Sequence, residues 1–180
     1  MSVYQNSLDI LCAPPVICSV GPQSGAGGHR GTPSTSTNYP AANRAYGVWF
    51  RISRIYRIVQ HYVIVSATTS GNADIGCYLL SGPKIATSGQ IVMSGGTSII
   101  GKNVTPYKLY PGLYYMVISH STGGGSATEI VAVIPPQVAH CKMTGMFSME
   151  SAYPLPDTIV PATCASAYVP IFGLSEIPLV

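Results

Sequence analysis

The chain has 180 residues and a formal net charge of +3, with 8% of residues charged against 47% hydrophobic. Ordinary soluble domains carry roughly 25% charged residues, so its surface must be built largely from Ser, Thr, Asn, Gln and backbone, which suits a protein that hides much of itself against neighbours. The apolar runs at 58–65 and 113–118 are too short for a membrane-spanning helix, which needs roughly 20 residues, and five scattered cysteines, an odd number, do not suit a secreted disulfide framework.

Residues 1–20 contain Asp9 and no basic residue ahead of their apolar part, a poor match to a secretory signal, so a soluble chain made in the cytoplasm is expected. Residues 1–42 read as an extended Gly/Ser/Pro-rich arm. The tract 25–37 is almost all Gly, Ser, Thr and Pro, with too little apolar side chain to offset the entropy of ordering it alone. Such an arm is expected to be held by other chains through anchors such as Tyr4, Leu8, Ile10 and Leu11; an arm folded onto its own domain is the alternative. The Gly-rich tract 21–32 fails the P-loop spacing, because Ala26 stands where the second glycine belongs and no Gly-Lys pair follows. It also misses G-x-G-x-x-G by one position. Phosphate binding is therefore not expected, and no cofactor is implied.

From residue 43 onward the pattern is strand. Segments 48–50, 52–66, 73–80, 85–93, 113–120, 127–134 and 168–172 are rich in Val, Ile, Tyr or Thr and bounded by Gly, Pro, Ser or Asn. Within 75–79, Ile75, Cys77 and Leu79 share one face of the pleat, and Gly76 and Tyr78 the other. Cys77 is therefore expected to be a buried small hydrophobe. Pro135, Pro136, Pro154, Pro156, Pro161, Pro170 and Pro178 suit edge strands and turns. The fold expected is all-β: a single sandwich or jelly-roll-like domain over 43–180, with a Pro-rich C-terminal part.

The order of N-R-A-Y-G-V-W-F at 43–50, S-G-N-A-D-I-G-C-Y at 70–78, the small-residue turns at Ser88-Gly89 and Ser94-Gly95-Gly96, and L-Y-P-G-L-Y-Y-M-V-I-S at 109–119 resembles a β-sandwich domain common in virion proteins of tailed bacteriophages. Capsid decoration proteins, head fibres and tail appendages carry that domain. The resemblance spans residues 43–122 and implies a structural or attachment role rather than chemistry. Its implied partners are phage capsid or tail structural proteins and further copies of the chain, a trimer by analogy, in a virion assembled in the host cytoplasm.

The basic residues Arg44, Arg51, Arg54 and Arg57 are the one concentration of charge. On a continuous strand Arg51 and Arg57 would share a face and Arg54 the other, so they form no single stripe unless a bulge or strand break intervenes. Trp49, Tyr56 and Tyr62 make nucleic-acid binding conceivable. A net charge of +3 favours edge protection or pairing with carboxylates of a partner subunit. His140 and Cys141 are adjacent and would point to opposite faces of a strand, so they make no metal pair. The six acids show no facing carboxylate pair, and G-x-S-x-G is absent. No catalytic residue and no metal ligand is assigned. The reading is a non-enzymatic virion component, foremost a capsid decoration or cement protein. The alternative is a receptor- or glycan-binding module of a fibre, baseplate or head spike, for which the twelve tyrosines and one tryptophan could supply stacking platforms. The short chain, without coiled-coil heptads or a repeated shaft motif, favours the first.

Overall fold

The structure is a computed structural model, which describes residues 16–19, 32–66, 70–94, 98–124, 129–134, 145–150, 152–164 and 168–180. Two antiparallel sheets of seven strands each are present. The first contains β1 (Val16–Cys18), β2 (Thr32–Asn38), β4 (Tyr56–Val65), β8 (Ser98–Leu109), β10 (Glu129–Ile134), β13 (Val169–Pro170) and β14 (Phe172–Ser175). The second contains β3 (Ala45–Ile52), β5 (Asn72–Leu79), β6 (Lys84–Thr87), β7 (Ile91–Val92), β9 (Gly112–His120), β11 (Phe147–Met149) and β12 (Ala162–Thr163). The all-β sandwich expected from the sequence is what the described residues form.

Period-two alternation builds the core. On the second sheet, Tyr46, Val48, Phe50 and Ile52 of β3, Ala73, Ile75 and Cys77 of β5, and Tyr114, Met116 and Ile118 of β9 face inward and are buried. They meet Ile58, Val63, Val65, Leu109, Ile130, Phe172 and Leu174 of the first sheet in one cluster. Strict alternation cannot put both Ile58 and Val63 on one face. A register shift between Ile58 and Gln60, opposite Asn103 to Tyr107 of β8, resets the pleat and lets both strand halves bury their apolar side chains.

The outer face of the second sheet is partly covered by residues 147–149 and 152–159. Phe147 lies opposite Gly47 in the β3/β11 register, and a Cβ on Gly47 would fall 2.2 Å from the Phe147 ring. The missing side chain makes the seat for that ring, which packs edge-on to Tyr115 at 5.1 Å. Tyr78, Val117, Ala152, Leu155 and Ile159 complete this second cluster. Asp74 pins the covering segment. It accepts hydrogen bonds from the hydroxyls of Thr87 and Ser88 on one oxygen and from the Leu155 N–H on the other, at 3.1 Å. Three donors compensate the desolvation of a carboxylate only 2% exposed.

Several sequence expectations are corrected. The strand expected over 52–66 breaks at Ser53–Ile55, and β3 and β4 go to opposite sheets. The segment 85–93 splits into β6 and β7. Leu79 is 43% exposed, because the strand ends there, although its face-mates Ile75 and Cys77 are buried. Strands β8, β11 and β12 were not foreseen. Part of the expected arm is sandwich: β1 pairs with β14, β2 pairs with β10, and Ile17, Cys18 and Tyr39 are completely buried. The physical reason is that β14 and the Tyr46–Tyr168 aromatic cluster present apolar surface that these residues cover.

Candidate functional site

Antiparallel registers bring three turns to one end of the sandwich. Ile52 pairs with Gly112, Tyr56 with Leu109, and Leu79 with Tyr114, so the β3–β4, β8–β9 and β5–β6 turns share that end. Val16 opposite Ser175 puts the start of β1 there as well. Several large apolar side chains are exposed at this end: Ile55 is 52% exposed, Tyr110 57%, Leu80 46% and Leu113 45%. Single exposed apolar residues need no explanation, but a group of them at one end makes a candidate contact surface.

Charged side chains surround this group. Arg51 is exposed on the outer face of β3, Arg54 stands in the β3–β4 turn, and Arg57 is exposed on β4. Arg54 donates to Glu176, Nη2 to Oε2 at 2.5 Å, and its guanidinium lies 3.8 Å from the Tyr56 ring centroid. Glu176 also accepts the Arg57 backbone N–H at 2.9 Å, so its carboxylate is occupied locally. Arg57 lies directly opposite Lys108 in the β4/β8 register, both exposed. Like charges facing each other across a ladder are unfavourable. No acidic partner is seen for Arg51, Lys108 or the Arg57 guanidinium among the described residues.

Between Trp49, Arg51, Ser53, Pro111 and Leu113 lies an open cleft of about 630 Å³, floored by the end of β3 and the start of β9. Trp49 is half-buried and abuts the turn at Gly145, where φ is +73° and a Cβ would lie 2.2 Å from the indole Cδ1 and Nε1. Only glycine suits that position on both counts.

The structure thus brings Arg51, Arg54 and Arg57 to one end through the strand break, on different faces. Arg44 sits at the opposite end, paired with Glu150 of the same chain. Edge protection or pairing with a partner's carboxylates was the expectation for these arginines; Arg44 and Arg54 pair with Glu150 and Glu176 of their own chain. Tyr4, Leu8, Ile10, Leu11, His140 and Cys141 lie outside the described residues. The apolar turn tips were missed, because spacing along a strand says nothing about which turns converge.

The titratable groups inside the sandwich have structural work. His61 donates from Nδ1 to the Ile75 carbonyl at 2.8 Å and accepts at Nε2 from the Tyr107 hydroxyl at 2.9 Å, tying the two sheets together. Burial lowers its pKa to about 4 and keeps the ring neutral. Cys77, beside the Tyr107 hydroxyl, is pushed up to about 12 by burial, which removes thiolate reactivity. Comparisons of the chain with protein-family models, curated proteins and solved structures find no match in any of the three.

Proposed function

We propose that this chain is a non-enzymatic structural protein of a bacteriophage virion, foremost a capsid decoration or cement protein, which attaches to neighbouring subunits through the turn end of its sandwich. The observation that carries the reading is the grouping of Ile55, Leu80, Tyr110 and Leu113 on converging turns with uncompensated Arg51, Arg57 and Lys108 around them. An apolar centre with a polar rim is the anatomy of a protein interface. The low overall charge supports it, since a surface poor in charge is better kept against neighbours than in water. The phage assignment itself rests on the resemblance of residues 43–122.

The test is attachment of the purified chain to particles, followed by sedimentation and by imaging of particles carrying the labelled chain. Leu80→Asp combined with Tyr110→Asp is expected to abolish co-sedimentation while leaving the melting temperature within a few degrees, because both side chains are already solvent-exposed. Full-strength attachment by the double variant would overturn the docking surface. A chain that stays monomeric and binds no particle would overturn the assembly role.

A further inference from the structure

The Trp49–Arg51 cleft adds a chemical identity to the partner. Its floor is a paired stretch of β3 and β9, so outward-facing side chains do the recognition rather than a free strand edge between those two strands. Two of its walls are Trp49 and the Leu113/Pro111 pair, which match an apolar or aliphatic group. Arg51 supplies a planar fork of donors that suits a carboxylate bidentately. One observation points to an anion: Arg51 is the single charged residue lining the cleft and has no acidic partner among the described residues. Glu176 cannot serve, since its oxygens are held by Arg54 and the Arg57 amide.

We infer that this cleft receives an acidic peptide segment of the partner subunit, an Asp or Glu flanked by apolar residues, with the carboxylate on Arg51 and a neighbouring apolar side chain against Trp49. The inference rests on the docking role proposed above. It needs no covalent step and no metal. A small seat holding one charge-assisted pair beside an aromatic anchor is the usual composition of an interface hot spot.

Trp49 is the sole tryptophan, so its fluorescence reports the cleft directly. The full chain is titrated with the capped peptide acetyl-Gly-Leu-Glu-Leu-Gly-amide, its Gln twin, and trigalacturonate. A saturable emission change with the Glu peptide, at least tenfold weaker for the Gln twin and for the Arg51→Gln variant, supports the inference. A response equal for the Glu and Gln peptides, or no saturable response at millimolar peptide, overturns it. So does tighter binding of trigalacturonate than of the peptide, which would make the cleft a sugar site. A wild-type response already present without peptide and abolished by Asp9→Asn also overturns it, by placing the chain's own N-terminal carboxylate in the cleft. Particle attachment separates the two readings. If Leu80→Asp with Tyr110→Asp loses attachment while the Glu peptide gives no response, the docking surface stands and this inference falls; if the peptide binds but attachment is unaffected by the double variant, the reverse holds.

Discussion

Removal of residues 1–42 is expected to unfold the sandwich. Val16, Ile17 and Cys18 are at most 6% exposed, and they cover β14 through the Val16–Ser175, Ile17–Leu174 and Cys18–Gly173 pairs. Ser19 donates its hydroxyl to the Pro170 carbonyl at 2.7 Å. Tyr39 is wholly buried, packs with ring centroids within 6 Å of Tyr46, His120 and Tyr168, and shares its one hydroxyl proton between the carbonyls of Arg44 and Ile118. Burying one such apolar side chain stabilises by about 1.5–3 kcal/mol, so these residues together contribute on the order of 6 kcal/mol. That is a large share of the roughly 5–15 kcal/mol by which a domain is stable. The truncation also bares the Phe172–Leu174 edge, an aggregation hazard. The assay is circular dichroism with a melting curve on residues 43–180 beside the full chain, with dye binding to detect exposed apolar surface. Loss of the cooperative transition, or a melting temperature lowered by well over ten degrees, is expected. A truncated chain that melts cooperatively within about 5 °C of the full one, a shift worth roughly 2 kcal/mol in a domain of this size, would refute the assignment of β1 and Tyr39 to the core.

Acid should destabilise the fold. His61 binds its proton at about pH 4 when folded and near 6.5 when unfolded, so between those values the unfolded chain holds the extra proton and stability falls as pH drops from 6.5 to 4. The window spans on the order of 3 kcal/mol at 1.36 kcal/mol per pH unit. His120, also lowered by burial, acts in the same sense. Urea midpoints measured across this range should rise with pH, and His61→Gln should flatten the slope; an unchanged slope in that variant would remove His61 as its source. Gly47→Val should cost about 1–3 kcal/mol by overpacking against the Phe147 ring, and Phe147→Ala about 3–5 kcal/mol by leaving its seat empty. Denaturant melts of the pair should show the double variant less destabilised than the sum, since the valine refills the space; strict additivity would mean the two positions do not touch.

Strands β5 and β9, in the middle of the second sheet, were legible from sequence because they obey a single local rule, whereas their neighbour β3 reads as strand only over 48–50, with Ile52 in the next segment. Tyr46 to Ile52, Ala73 to Cys77 and Tyr114 to Ile118 alternate inward and outward without interruption, and the pleat makes that periodicity a statement about burial. Strand β8 hid behind Gly101, Lys102, Asn103 and Pro106, which read as loop. Among the described strands it pairs only with β4, so its other edge tolerates a residue without an N–H, and the register shift opposite Ile58 to Gln60 absorbs the irregularity. The arginines illustrate the same division. Their spacing of three residues separates them on a continuous strand, yet the break at Ser53–Ile55 gathers Arg51, Arg54 and Arg57 at one end.

The amino-acid sequence by itself determined the class of fold and the alternating faces of its central strands, since both follow from the geometry of a few consecutive residues. Tertiary structure alone decided that residues 16–19 and Tyr39 are core, that Gly47 is a seat for Phe147, and that three turns distant in sequence share one apolar end. Each of these depends on which strands pair and in what register, a matter of contacts between residues tens of positions apart, and no local period along the chain encodes it.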